Sequence, residues 1–399
     1  MEQAPRHRIG IFLGVVQFIF TLTWTVYVIF LPALASQAGI PKQAVVLILL
    51  LDQVIFAVMD YATGFAADRV SHVLGRLGHL ILAVTLLSCV AFLLLPYAAP
   101  QGSAALFLAI VILWAVTSSA LRAPPLVLLG KYSPEPSVPW LSALSLFGLG
   151  LAGAVSPYLT IVLRDVDPRL PFVASSIALA LATVGIIWAE RTLTRDAPAV
   201  APKTLNVPAP RAIWFMCAAL LVALGFQIHF SLNSAALYQR FARPDQLQYL
   251  MPVFWIGFNV FMLPASVATK RYGGVAVAST GAVVAGLASL GAVSANSLTV
   301  LTVLQFIAGG GWGCVLMSAV AAAISIGHTG HEGKVTGALF SVLALAAFLR
   351  IGILAAQLNK DPEIAALLMW APVVAWVGGG VILLFFAKTF RKVPTPASA

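Results

Sequence analysis

Four ionisable side chains, Asp52, Asp60, Arg122 and Arg350, stand inside long apolar runs of a 399-residue chain that is 61% hydrophobic and 9% charged. An ionisable group in hydrocarbon costs roughly 2.5–3.5 kcal/mol on insertion scales, so each needs a reason to be there. Asp52 and Asp60 are eight residues apart, which on one helix separates them by roughly 12 Å along the axis. A carboxyl that alternates between apolar surroundings and a nearby arginine changes its proton affinity, and so can load and release a proton. Asp52 is the expected proton or substrate group. Asp60 is expected to couple to a gate, because Asp60, Gly64 and Asp68 share one helix face at four-residue steps, although a structural salt bridge is an open alternative. Arginine stays charged, so Arg122 and Arg350 must face a partner or a wet cavity. An anionic group on a bound solute and internal pairing with Asp52 and Asp60 are both open.

The elements that carry these residues follow from hydropathy. A helix needs about 20 predominantly apolar residues to cross the bilayer core, and such runs lie near 9–35, 43–67, 78–98, 103–130, 138–163 and 170–189. A second series lies near 212–236, 247–269, 275–295, 298–326, 335–357 and 364–387. The stretch 190–211, with Pro198, Pro202, Pro208 and Pro210, reads as a linker between two six-helix halves, 1–189 and 212–399, because proline breaks helices. Both termini then share one side. The segments on that side hold 15 of the 23 basic residues, against 6 on the other and two inside the spans. The positive-inside rule makes that side cytoplasmic, and Arg122 then lies roughly 13 Å from the cytoplasmic rim, nine residues before Lys131. Pro124 and Pro125 should bend the fourth helix there.

The same distribution accounts for the formal charge of +10 without a nucleic-acid partner, since the bases are spread over short loops at helix ends. The first apolar run is long enough to span and lacks a cleavage site, so it is expected to remain in place. Cys89, Cys217 and Cys314 have neither disulfide nor zinc spacing. No phosphate-cradling loop, nucleotide motif or metal-ligand cluster is present, so no cofactor, no metal and no ATP drive is expected. No Ser/His or paired-carboxylate arrangement stands at a common depth, which argues against an intramembrane enzyme.

Gly64-Phe65-Ala66-Ala67-Asp68-Arg69, followed by Gly75-Arg76, resembles the signature of the major facilitator superfamily between its second and third helices, with an insertion around Ser71-His72-Val73-Leu74. His331-Glu332-Gly333-Lys334-Val335-Thr336-Gly337 is similar to the family's turn into helix 11. Gly148, Gly150, Gly153 and Pro157 resemble a degraded form of its antiporter motif. After the eighth span, Lys270-Arg271-Tyr272-Gly273-Gly274 echoes Asp68-Arg69-Val70, as halves built by duplication do. Independently of the family, glycine at 64 permits close helix approach. Asp68 one turn on can meet Arg69, Arg76 or the positive start of a neighbouring helix. Gly64, Asp68, Arg69 and Arg76 are thus the expected gating residues, with a plain topology anchor as the alternative.

The resemblance implies an all-α integral membrane protein of twelve transmembrane helices, two six-helix bundles with pseudo-two-fold symmetry, working as a monomer in the cell inner membrane. It also implies that the first helix of each half lines a central cavity. Helix 1 offers Gln17, Thr21, Trp24 and Thr25; helix 7 offers Gln227, Ser231 and Ser234 on one stripe and His229 with Asn233 on the next. Thr21, Trp24, Arg122, Gln227, His229, Asn233 and Arg350 are the expected substrate-binding residues, with a packing role open for His229. In the family the fourth helix commonly carries an arginine such as Arg122. Helix 10 adds Gln305 and Gly309-Gly310-Gly311-Trp312-Gly313, a packing groove or a bend. The expected activity is proton-coupled movement of a small organic solute, anionic or zwitterionic, through the bilayer. Proton-antiport efflux of drugs or metabolites, with Asp52 or Asp60 holding a cation, is the alternative. A membrane sensor that transports nothing is the alternative of another class.

Overall fold

A computed structural model of the chain describes residues 4–70, 76–195, 209–327 and 330–387. The insertion at 71–74 with Gly75, most of the linker from 196 to 208, and the basic residues Lys388, Arg391 and Lys392 lie outside the described residues. Twelve helices are long and apolar enough to span a bilayer: α1 Arg6–Gln37, α2 Lys42–Val70, α3 Leu77–Gln101, α4 Ala104–Tyr132, α5 Val138–Val162 and α6 Arg169–Arg195 in the first half. The second half contains α7 Ala212–Gln239, α8 Pro244–Tyr272, α9 Gly274–Val293, α10 Leu298–Gly327, α11 Glu332–Ala355 and α12 Pro362–Phe385. No strand occurs among the described residues. In hydrocarbon every backbone polar group must be satisfied within the segment, and unbroken helices do this. Large apolar side chains such as Leu181, Val374 and Phe385 are left exposed on the outside of the bundle, where lipid is their solvent.

Each expected span is present; most helices run past the expected ends, while α5, α9 and α11 stop one or two residues before them. The largest extension is in α6, which stays helical to Arg195, so the stretch 190–195 belongs to a helix. Its Glu190 is fully buried and accepts hydrogen bonds from Leu77 N (3.1 Å) and Gly78 N (2.8 Å). A carboxylate there satisfies open N–H groups at the start of α3.

Several helices are irregular, α4 and α7 among them. In α4 a 3-10 turn, Ser119–Leu121, precedes Arg122, and the α-helix resumes at Pro124, where the two prolines remove donors. In α7 residues His229–Asn233 form a π-turn.

The halves touch through α2 against α11 and α5 against α8, with α10 packed on α4 and α5. Toward the face where α1 begins and α12 ends, called the terminal face below, the cores of both halves merge: Leu13, Leu129 and Leu141 belong to one cluster with Phe215, Phe258 and Leu339. Toward the opposite face the cores are separate. Tyr27, Phe92, Phe107, Trp114 and Phe172 form one in the first half, and Leu237, Tyr238, Ala292 and Leu301 one in the second. The halves therefore share a core at the terminal face and keep separate cores toward the other.

Candidate functional site

At the terminal face, α2 crosses α11 at backbone contact. A Cβ on Gly64 would run into the Gly333 carbonyl oxygen, and one on Gly337 into that of Asp60; only glycine lets two backbones come so close. One turn beyond Gly64, the buried Asp68 reaches the start of the facing helix. Its Oδ1 accepts from Gly333 N at 2.7 Å and its Oδ2 from Lys334 N at 2.8 Å. These are two of the N–H groups a helix start leaves open, at the positive end of the helix dipole. Lys131, at the end of α4, lies within electrostatic reach of both Asp68 and Glu332. Arg69 and Arg76 are exposed, and Arg69 stacks over the Phe65 ring at 4.3 Å. Of the expected gating residues, Gly64 and Asp68 touch the other half, while the two arginines lie outside the contact.

Inward from this closure, a cavity of about 510 Å³ lies between the halves, lined on one side by α1 and α5 and on the other by α7, α8, α10 and α11. The first wall carries hydroxyls: Thr21, Thr25, Ser156 and Thr160, beside Trp24. The second is aromatic: Phe226, Phe230, Trp255 and Trp312, with Gln227 among them. Phe226 stacks on Trp312 with centroids 4.5 Å apart and on Phe230 at 5.9 Å. The glycines around Trp312 explain its placement. Cβ atoms on Gly309 and Gly313 would collide with the Phe254 and Phe258 carbonyl oxygens of α8, and one on Gly311 would meet Gly281 O of α9 at 2.6 Å. The glycine run is thus a packing groove that wedges α10 between α8 and α9 while Trp312 faces the cavity.

Thr21, Trp24 and Gln227 line the cavity; the other expected solute-binding residues do not. Arg122 turns to Asp60, with Nε 3.4 Å from Oδ2, and its guanidinium lies over the Phe56 ring at 4.6 Å. Asp60 is fully buried, so of the open readings internal pairing is the one realised at Arg122. His229 is buried in the second half, its Nε2 2.9 Å from Gln305 Oε1 and its Nδ1 2.9 Å from Ser289 Oγ. Asn233 donates from Nδ2 to Leu368 O at 2.8 Å. Both side chains are spent inside the bundle. Arg350 shares the α11 face of the cavity-lining Leu343, seven residues and roughly 10.5 Å further along, and its Nε is buried without a hydrogen-bond partner among the described residues.

Asp52 is fully buried in the aromatic core of the first half. Its Oδ2 accepts from Tyr27 OH at 2.9 Å, and its Oδ1 has no hydrogen-bond partner among the described residues. Trp24 connects the cavity with both carboxylates. Its ring is 5.4 Å from that of Tyr27, which holds Asp52, and 5.4 Å from that of Phe56, which lies under Arg122 and its partner Asp60.

Sequence reasoning missed Phe226, Phe230 and Trp255 as cavity wall, Tyr27 as the partner of Asp52, and Asn259 of α8. With its amide oriented to suit its neighbours, Asn259 donates to Phe147 O (3.2 Å) and accepts from Leu151 N (3.1 Å) of α5, across the halves. Beside it Gly153 admits the Trp255 ring, and Tyr158 meets Tyr249 further along at 5.9 Å, so α5 and α8 stay in contact along their length. The Gly150 and Gly153 spacing was the available signal for this seam.

The family model of the Major Facilitator Superfamily matches residues 13–349. No curated protein matches the sequence. Among solved structures, the E. coli fucose:proton symporter FucP is similar over 96% of this chain and 98% of its own, at 13% identity and a TM-score of 0.67. The human organic anion transporter MFSD10 is similar over 97% and 100%, at 14% identity and 0.66. A bacterial homologue of the iron transporter ferroportin, in an outward-facing state, is similar over 95% and 99%, at 11% identity and 0.75. At these identities the likeness speaks for the fold alone.

Proposed function

The chain belongs to the Major Facilitator Superfamily, and on that footing we propose a proton-coupled secondary transporter that moves a small organic solute across the cell inner membrane by alternating access. The observation that carries this reading is the cavity between the halves, set inward of a terminal face that Asp68 ties shut on α11. The halves, the first ending with α6 at Arg195 and the second beginning with α7 at Ala212, are the rocking units, the chain between them is the link, and the excess of basic residues makes the terminal face cytoplasmic. With that face closed, access to the cavity is assigned to the outside.

Proton coupling is assigned to Asp52 and Asp60, two buried carboxyls on α2, the helix that carries the Asp68 lock. Trp24 offers the spatial route by which an occupied cavity could bias them; this is a path of contacts, and coupling along it is for mutants to establish. The solute has an apolar body, because the wall facing α1 and α5 is aromatic. An anionic or zwitterionic solute, which the sequence favours, keeps one supporting observation in Arg350, since the cavity wall itself carries no charged side chain. The experiment is flux in proteoliposomes under an imposed pH gradient, with solutes first selected by thermal shift, where binding stabilises the native state by mass action. Accumulation driven by the gradient is expected, and its sign distinguishes symport from efflux by antiport. Solutes that bind and never move would replace this reading with a non-transporting sensor.

A further inference from the structure

The hydroxyl wall has a definite hydrogen-bonding polarity. Thr21 donates to Gln17 O (2.8 Å) and Thr160 to Ser156 O (3.3 Å), while Thr25 and Ser156 lie within hydrogen-bond reach of Thr21 O (3.1 Å) and Ala152 O (2.7 Å). Thr25 Oγ1 and Ser156 Oγ also lie 2.9 Å apart across α1 and α5. A hydroxyl has one proton and two lone pairs. Thr21 and Thr160 give their protons to backbone carbonyls, and in the Thr25–Ser156 pair one hydroxyl donates to the other, which donates to a backbone carbonyl. All four protons are thus used within the wall, and acceptor capacity remains. At these hydroxyls a solute acceptor must first break one of those bonds, and the N–H donors of the lining lie instead at Gln227 and the tryptophans. A solute that offers N–H donors breaks none.

The opposite wall points the same way. Phe226, Phe230, Trp255 and Trp312 present ring faces and edges to a flat apolar body, and an aromatic face attracts a cationic nitrogen. Of the two arginines expected to prefer an anion, Arg122 is engaged by Asp60, and Arg350 lies roughly two helical turns beyond the cavity-lining Leu343. We propose that the cavity binds an organic amine: a flat apolar body held among the aromatic side chains of the second half, with its N–H groups donated to the Thr21, Thr25 and Ser156 oxygens of the first. A solute held in this way bridges the two rocking units. This inference rests on the transport reading only for the movement of the amine once bound; the site and its ligand class stand by themselves.

The test is binding to the purified full chain by thermal shift and titration calorimetry, using an arylalkylamine series that begins with phenethylamine and extends to bicyclic bodies. The best amine is paired with its trimethylated ammonium analogue, which keeps the charge and loses the donors, and with the carboxylate of matched length. The amine is expected to bind about tenfold more tightly than either analogue, the usual scale for a hydrogen bond to a charged group. Thr21→Val and Ser156→Ala, both close in volume to the native residues, should each weaken the amine several-fold and leave the trimethylated analogue unchanged. Equal binding of amine and trimethylated analogue would overturn the acceptor wall, as would amine binding that both variants leave intact. Preference for the carboxylate, abolished by Arg350→Gln, would assign the site to anions. Absence of binding across the whole amine series overturns the proposal as well. Amine binding without flux in proteoliposomes would instead sink the transport reading and leave the amine site standing.

Discussion

Replacing Asp68 by asparagine removes the charge and one acceptor from the closure of the terminal face at almost unchanged volume. In the native protein both carboxylate oxygens accept backbone N–H groups of α11, at 2.7 and 2.8 Å. Asparagine keeps one of these bonds and turns its NH₂ toward the other donor. A hydrogen bond to a charged group is worth about 1.5–3 kcal/mol, and a charge at a helix start adds about 0.3–1 kcal/mol. The closed terminal face should therefore lose about 3 kcal/mol relative to the open one, which is roughly a hundredfold in their ratio. Spin labels at Arg191, exposed at the end of α6, and Tyr272, exposed at the end of α8, report the separation of the halves on that face. Labelling requires a background from which Cys89, Cys217 and Cys314 have been removed. Pulsed electron resonance should show Asp68→Asn moving the distance distribution toward an open terminal face, with solute exchange slowed and expression retained. Arg69→Gln should leave the distribution alone, because Arg69 lies outside the contact. An unchanged distribution and normal transport in Asp68→Asn would refute the lock and reduce Asp68 to a topology anchor.

Asp52→Asn should abolish pH-driven accumulation while solute-for-solute exchange persists; a full response to the gradient in this mutant would pass the proton role to Asp60. Arg122→Gln leaves Asp60 buried without its partner and should destabilise the protein by about 3–5 kcal/mol. Adding Asp60→Asn should recover most of that in a thermal melt, and a double mutant no more stable than the single contradicts the pairing. Gly337→Ala drives a methyl group into the Asp60 carbonyl oxygen, whereas Gly352→Ala on the same helix meets nothing within 4 Å. The first should open the terminal face in the spin-label assay and the second should not. Trp24→Ala should weaken the effect of bound solute on proton uptake more than it weakens binding, and equal losses in both would remove Trp24 from the coupling route.

The Asp68 contact was partly legible in sequence because its near side is local: Asp60, Gly64 and Asp68 recur at one helical turn, and the start of a neighbouring helix was one of three partners open to Asp68, beside Arg69 and Arg76. The cavity could not be read in the same way. In a chain dissolved in lipid, aromatic residues occur in every span but α9, and nothing in sequence separates Phe226, which faces the cavity, from Phe215, which lies in the core. Helix 7 shows a second limit. A regular α-helix would carry Gln227, Ser231 and Ser234 along one stripe, but the π-turn at His229–Asn233 adds one residue to a turn and rotates the rest of the helix by about 100°. Gln227 lines the cavity, whereas Ser234 turns inward to donate to His229 O at 2.9 Å. Arg122 was ambiguous for a different reason: a buried arginine needs a counter-charge or water, and sequence spacing alone does not say whether Asp60 or a solute supplies it.

The two seams between the halves are built differently, and the difference suits a cycle in which one opens while the other holds. Along α5 and α8 the contact continues from Gly150 and Asn259 past Gly153 and Trp255 to the Tyr158–Tyr249 pair, a long surface with the character of a pivot. At the terminal end of α2 and α11 the closure is concentrated in a glycine crossing and one carboxylate on a helix start. Small residues bring little apolar area to lose on separation, and the freed N–H groups of Gly333 and Lys334 can be hydrated once water enters. Opening therefore breaks the hydrogen bonds and charge–dipole attraction of Asp68, a few kcal/mol, together with the apolar contacts of the core that the halves share at this face, and differential binding of a solute or a proton has to outweigh the part of that cost which closing the other face does not return.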